Sequence, residues 1–204
     1  MTITAHAGSM GTAPNTLKSI KACIMAASII EVDVRFLASG VPVLAHDEKQ
    51  KEEGTLLEDC LALISESEAH INLDLKERSN IPGIAALVRQ FGLKDRAFFT
   101  GVEVGGIDYV KESGLAYYLN CMPRRTGKHA AMLVNTAKEL GCVGLNMNYR
   151  LCSKKLKEEA RMADLLVSVW TVDKAPAMRK MMRLGVDNIT TRRPDICEEL
   201  RHAI

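Results

Sequence analysis

The chain has 204 residues, 47% of them hydrophobic, and a net charge of +2. That length suits one domain with a sizeable core, so residues 1–204 are read as a single unit. So small a charge excludes a nucleic-acid footprint, 4% aromatic residues argue against base-stacking platforms, and no run approaches the roughly 18 apolar residues of a membrane span.

Strand-like apolar runs alternate with helical patterns from end to end. The first run, residues 2–6, is Thr2-Ile-Thr-Ala-His6. Leu17, Ile20 and Ile24 then mark a helix capped by Thr16 or Asn15. The second run, 28–34, contains Ile29-Ile-Glu-Val-Asp-Val34. A third, 41–45, follows across Ala38-Ser39-Gly40, and that short spacing reads as a hairpin strand added to strand two. Thr55-Leu-Leu-Glu58 has the form of a capping box. Behind it Leu57, Cys60, Leu61 and Ile64 fall at i, i+3, i+4 and i+7. Further strands are predicted at 70–76, 97–101, 116–121, 142–147, 166–171 and 187–190. A helix is predicted from Pro82 to Phe91, with Gly92 where a C′ glycine belongs. Others are predicted over 127–140, 154–163, 174–184 and 195–203.

Apart from the hairpin strand, these are eight strand–helix units. They imply an α/β fold with a parallel sheet covered by helices, and eight is the count of a closed (β/α)8 TIM barrel. A doubly wound open sheet is the alternative. It usually carries a glycine-rich first turn, and His6-Ala-Gly-Ser-Met-Gly11 is not G-x-G-x-x-G. Six cysteines, at 23, 60, 121, 142, 152 and 197, show no C-x-x-C spacing and read as reduced and buried. The amino terminus enters a strand without a basic stretch and a long apolar one. We therefore expect no leader peptide and a cytoplasmic location.

The informative residues are polar ones at strand ends, where a barrel of this type builds its site. His6 ends the first strand, Glu31 and Asp33 lie late in the second, and His46 ends the hairpin strand. Asp74 and Lys76 end His70-Ile-Asn-Leu-Asp-Leu-Lys76, Trp170 and Asp173 close the run from Leu165, and Asn188 begins the last strand. Glu31 and Asp33 are two apart, so they share a strand face, as do Asp74 and Lys76. Two carboxylates side by side repel unless a proton or cation sits between them. Glu31, Asp33 and Asp74 offer hard oxygens suited to Mg²⁺ or Ca²⁺ rather than zinc. Lys76 adds a charge for a phosphate oxygen, and His6 and His46 are fitted to proton transfer. Such a set suits cleavage of a phosphodiester.

These residues also match a family pattern. Ala5-His6-Ala7-Gly8 and Ala13-Pro14-Asn15-Thr16 stand where the family has A-H-R-G and P-E-N-T. Glu31-Val-Asp-Val34 matches E-x-D-V, and Ser39-Gly-Val-Pro-Val-Leu-Ala-His-Asp47 matches D-G-V-P-V-x-x-H-D. Asn72-Leu-Asp-Leu-Lys76, Val167-Ser-Val-Trp-Thr-Val-Asp173 and Gly185-Val-Asp-Asn-Ile-Thr-Thr-Arg-Arg-Pro194 complete the series in order. Over nearly its whole length the chain resembles the glycerophosphodiester phosphodiesterases, and more distantly the phospholipase D toxins on the same barrel. The resemblance implies a (β/α)8 barrel and metal-dependent hydrolysis of glycerophosphodiesters to glycerol 3-phosphate and an alcohol, within glycerol and lipid metabolism. It implies His6 and His46 as the catalytic pair and Glu31, Asp33 and Asp74 as metal ligands. Lys76, Trp170, Asn15, Asp173 and Asn188 are expected at the substrate.

The chain departs from the pattern in five places. Ala7 replaces an arginine, a bidentate phosphate contact. The glutamate before Asn15 is missing. Asp74 stands for a glutamate, as in the toxins. The lobe after His46-Asp47 is reduced to Glu48–Gly54, which opens the site to a substrate larger than glycerophosphocholine or bound more weakly. Arg192 replaces an aspartate and offers a positive charge at the rim. Two alternatives stand beside the enzyme reading: a non-catalytic phosphodiester-binding relative, and an aldolase-type barrel enzyme with Lys76 as Schiff-base lysine. Lys154-Lys-Leu-Lys157 reads as a solvated face. Arg124, Arg125 and Lys128 read the same way, though their place after a strand end also suits a phosphate or lipid headgroup.

Overall fold

A computed structural model describes residues 1–121 and 126–203, with side chains described outside 126–128. Arg124, Arg125 and the side chain of Lys128 lie outside the described residues. The elements run β1 (Thr2–Ala5), α1 (Leu17–Ile24), β2 (Ile29–Phe36), β3 (Pro42–Leu44), β4 (Thr55–Leu56), α2 (Leu57–Ser65), β5 (His70–Leu75), α3 (Ile81–Gln90), β6 (Ala97–Val102), α4 (Ile107–Lys111), β7 (Ala116–Asn120), α5 (Thr126–Glu139), β8 (Gly144–Asn148), α6 (Lys154–Met162), β9 (Leu166–Trp170), α7 (Ala175–Leu184), β10 (Asn188–Thr191) and α8 (Pro194–His202).

Eight strands form a parallel ring in the order β1-β10-β9-β8-β7-β6-β5-β2. Closure comes from β1, which pairs with β10 along Thr2–Ala5 and with β2 through Thr4 and Ala5. This is the expected TIM barrel, with a helix after each strand of the ring. The hairpin is also as expected, since β3 runs antiparallel to β2 with Val34 opposite Leu44. It lengthens β2 to Phe36 and acquires a second strand outside the ring, β4, opposite β3.

That second strand corrects one expectation. Thr55 does not cap a helix, because Thr55 pairs with Leu44 and the helix begins at Leu57 without a side-chain cap. Of the two caps weighed for α1, Thr16 accepts from the Ser19 N–H at 3.2 Å. The short helix α4 has no counterpart in the sequence reading. Lys157 is not solvated either; its ammonium meets Asp187 at 2.5 Å.

The apolar core is a shell rather than a centre. On β2, Ile30, Val32 and Val34 are buried and alternate with Glu31 and Asp33. Period-two alternation sends the two sets to opposite faces. The apolar face meets the helices, where α2 buries Leu57, Cys60, Leu61 and Ile64 and α7 buries Met178 and Met181. All six cysteines are buried and unpaired. No helix among the described residues is long and apolar enough to cross a membrane.

Gly101 matters to this frame. It sits at the β6 irregularity between Phe99 and Val102 with φ +74°. A Cβ there would overlap the backbone of Leu75 on the neighbouring strand. We expect Gly101→Ala to destabilise the protein by about 2–4 kcal/mol, from left-handed strain plus overlap. Urea denaturation measures it, and a loss below about 1 kcal/mol would mean that the β5–β6 seam yields easily.

Candidate active site

A cavity of about 280 Å³ opens at the carboxyl ends of the strands. His6, Glu31, Asp33, His46, Asp74, Lys76 and Trp170 all line it. Residues from β1, β2, β5, β9 and the hairpin thus meet in one place.

His6 directly follows β1. Its Nδ1 lies 2.9 Å from the Ala7 carbonyl oxygen. A carbonyl only accepts, so Nδ1 carries the hydrogen and Nε2 keeps its lone pair. Burial holds the imidazole pKa below its usual value, against the Ala7 hydrogen bond that favours the charged form, and the charge of Arg192 adds to the lowering. His6 is therefore a neutral base at neutral pH. His46 sits at the rim, with its side chain 60% exposed. Its Nδ1 is 3.0 Å from a carboxylate oxygen of Asp47, which fixes the same tautomer. Arg35 on β2 positions this loop. Its Nε donates to the His46 carbonyl at 3.0 Å, and its Nη1 pairs with Glu77 at 2.5 Å.

Glu31 and Asp33 are 5% and 2% exposed. Burial pushes the Glu31 pKa well above the usual carboxylate range, and the charges of Asp33 and Asp74 push it further. Its Oε2 accepts the Ala7 N–H at 2.8 Å. Asp33 has better partners. Lys76 meets it at 2.8 Å, Asn15 Nδ2 donates to it at 2.9 Å, and Asn15 Oδ1 accepts the Asp33 N–H at 3.1 Å. Burial raises the Asp33 pKa, but Lys76 and Asn15 outweigh it and hold the group below the usual range.

Asp74 accepts from Thr100 Oγ1 at 2.7 Å and pairs with Lys76. Burial works against the Lys76 ammonium, yet Asp74 and Asp33 outweigh it and raise its pKa. A Schiff-base lysine needs the opposite, a neutral amine. Arg35 pairs with Glu48 and Glu77 rather than with Glu31 or Asp33.

One oxygen from each of Glu31, Asp33 and Asp74 can be chosen so that all lie within 4.8 Å of one another. An ion about 2.0–2.6 Å from each oxygen spans that separation. Three hard carboxylates, one of them raised in pKa by its like-charged neighbours, fit a divalent cation.

Three residues expected at the substrate do not line the cavity. Asn15 lies behind Asp33 as its hydrogen-bond partner. Asp173 is engaged by Arg192, accepting from its backbone N–H and its guanidinium, each at 2.8 Å. Asn188 starts β10, so it sits at the far end of the barrel from the mouth, bonded to Ser168, Thr2 and Thr4. Conversely, Asn72, Thr100, Asn120, Asn146 and Thr190 line the cavity and were assigned no role from sequence. The signal was present: each is a polar residue inside an apolar strand run, as Glu31 and Asp33 are.

The sequence of residues 56–196 matches the model of the glycerophosphoryl diester phosphodiesterase family, more than half of the chain. The matched stretch includes Asp74, Lys76 and Trp170 and begins after His46. Among curated proteins no sequence matches. Solved structures share the fold. A phosphodiesterase from Oleispira antarctica, in complex with the product sn-glycerol-3-phosphate, has a TM-score of 0.85 at 20% identity over 98% of this chain and 96% of its own. A glycerophosphodiester phosphodiesterase from Parabacteroides distasonis gives 0.83 at 20% over 99% and 97%. One from Thermotoga maritima gives 0.75 at 20% over 98% of each. At these identities the likeness carries the fold.

The raised Glu31 pKa has a measurable consequence for stability. A carboxyl raised on folding favours the folded state below its unfolded value of about 4.3, and that contribution is lost as pH rises through the folded value. Glu31→Gln keeps an acceptor for the Ala7 N–H and removes the charge. In chelator-treated protein we expect its Tm to exceed wild type by roughly 2–6 °C at pH 7, with the gap closing below about pH 4. Calorimetry at both pH values checks this; an equal or lower Tm at pH 7 would mean that the Glu31 anion is already compensated.

Proposed function

This chain belongs to the glycerophosphoryl diester phosphodiesterase family and is an enzyme of that class; on that premise we propose that it hydrolyses glycerophosphodiesters to glycerol 3-phosphate and an alcohol at the barrel mouth. The supporting observation is one cavity that gathers a neutral histidine, a lysine ammonium and three clustered carboxylates. We further propose a cytoplasmic location, in keeping with six buried, unpaired cysteines.

Glu31, Asp33 and Asp74 would hold Mg²⁺ or Ca²⁺, which supplies Lewis-acid charge to a phosphoryl oxygen when bound. The residues of the chain do the rest. His6 Nε2 takes the proton of the attacking water. His46, on the solvent side, donates a proton from Nε2 to the departing alcohol oxygen. Asp47 orients His46 as the Ala7 carbonyl orients His6. Lys76 directs its charge to the phosphate, and Trp170 forms a wall beside the substrate.

Ala7 favours a second reading, a relative that binds phosphodiesters without turnover. The residue is 5% exposed, and a methyl group offers no hydrogen bond to phosphate. One assay separates the two: release of glycerol 3-phosphate from a panel of glycerophosphodiesters, with Mg²⁺ or Ca²⁺ and then with chelator. We expect metal-dependent release, and folded protein that binds metal yet releases nothing would support the second reading. His6→Ala and His46→Ala should each lower kcat by roughly 10²- to 10⁴-fold without unfolding the protein. Unchanged rates would sink the assignment.

The pH dependence follows from His6, which must be deprotonated to act. The acid limb of kcat/KM should lie below the ordinary imidazole value of about 6.5. Arg192→Gln removes a charge that lowers the His6 pKa and should move that limb to higher pH. A limb that stays in place would separate Arg192 from His6.

A further inference from the structure

His46 stands on a stretch of chain with little packing beneath it. Ala45 is buried, but no residue from His46 to Leu56 is. With few apolar contacts to hold such a segment, its placement falls to polar ones. Three of these tie it to β2. The Ala45 N–H donates to the Asp33 carbonyl oxygen at 3.1 Å. Arg35 Nε donates to the His46 carbonyl oxygen at 3.0 Å, and Arg35 Nη1 donates to Glu48 at 3.1 Å.

The His46 carbonyl belongs to the peptide that joins His46 to Asp47. A peptide is a rigid plane, so a bond to its oxygen steadies both Cα atoms from which the imidazole and its carboxylate partner extend. Arg35 is itself well held. It lies two residues beyond Asp33 on β2 and continues the face of Glu31 and Asp33. Its side chain is 18% exposed, and Nη1 pairs with Glu77 at 2.5 Å. Glu77 directly follows Lys76, whose N–H donates to the Val34 carbonyl oxygen at 3.0 Å. One planar guanidinium therefore links the end of β5, where Lys76 sits, to the peptide that carries His46.

We propose that Arg35 is a positioning residue for proton donation: it touches no reacting atom, and it holds His46 where the departing oxygen needs a proton. The role rests on the hydrolysis reading above for its reaction, though not for the tie itself. In that reaction the water oxygen joins phosphorus, the bond from phosphorus to the alcohol oxygen breaks, and the His46 Nε2 proton goes to that oxygen. A strongly basic alkoxide needs that proton in order to leave, whereas 4-nitrophenolate leaves as the anion. Loss of Arg35 is therefore felt by the first kind of diester and spared by the second.

The test compares kcat on sn-glycero-3-phosphocholine with kcat on the 4-nitrophenyl diester of glycerol 3-phosphate. Arg35→Met should slow the choline diester by roughly 10- to 10²-fold and the nitrophenyl diester by less than ~3-fold. Arg35→Lys keeps a charge for Glu77 without the planar fork. It should show the same split at smaller depth, and it decides the matter if Arg35→Met does not fold. His46→Ala should show the split at full depth. Equal losses on both diesters in the Arg35 variants, or no loss on either, would overturn the role, since a merely structural residue slows both alike. If His46→Ala slows both alike, or wild type cleaves neither, the hydrolysis reading is what fails. The NMR order parameter of the His46 amide then decides the tie alone: it should be about 0.85 in wild type and below about 0.6 in Arg35→Met. Equal values reject it.

Discussion

Three carboxylates crowd one end of a barrel within 4.8 Å of one another, and much of the surrounding structure answers that repulsion. Unit charges so close interact by several kcal/mol even at an effective dielectric of about 20. Lys76 pairs with two of them, Asp33 and Asp74. Asn15 gives Asp33 a donor, Ala7 gives Glu31 its backbone N–H, and Thr100 serves Asp74. The loop after β1 is shaped by this demand. Asn15 adopts a left-handed backbone at φ 59° and places its amide against both the side chain and the N–H of Asp33. The charge that is least compensated, Glu31, is also the one whose pKa rises most plainly from burial and like neighbours.

The second constraint is that the interior of the barrel is polar. Thr4, Glu31, Asp33, Asn72, Thr100, Asn146, Ser168, Asn188 and Thr190 are all buried. Stability must then come from the outer shell, where one strand face packs on helices. Along β1, β2, β5 and β8 buried apolar residues alternate with polar ones that face inward. The inner face is held by hydrogen bonds that cross between strands, such as Asn146 to Asn120 and Asn188 to Ser168. Unpaired amides at such depth are expensive, and these amides are engaged with one another and with neighbouring hydroxyls.

The rim differs from the family pattern in a connected way. Ala7 removes a guanidinium from the mouth, while Arg192, held by Asp173, brings one near enough to lower the His6 pKa. The short segment Glu48–Glu53, a turn of 3₁₀ helix, leads straight from His46 into β4. With so little chain above it, His46 stands exposed. The rim is thus open, while the floor of the cavity is closed and polar.

Much of this was legible in the sequence. Eight strand–helix units, the hairpin and the polar residues His6, Glu31, Asp33, His46, Asp74 and Lys76 are all local patterns, because period-two alternation and helical spacing are properties of neighbouring residues. What the sequence could not decide is which distant group meets which. Thr55 has the form of a helix cap, but β3 competes for its backbone and wins. Asp173 looks like a substrate contact until Arg192, 19 residues away, takes its carboxylate. Asn120 and Asn146 are isolated polar residues in the sequence, and become one pair only when β7 and β8 align them. Local periodicity determined the elements and the face each side chain occupies; register between strands, a property of the closed barrel, decided the partners, the pKa directions and the floor of the site.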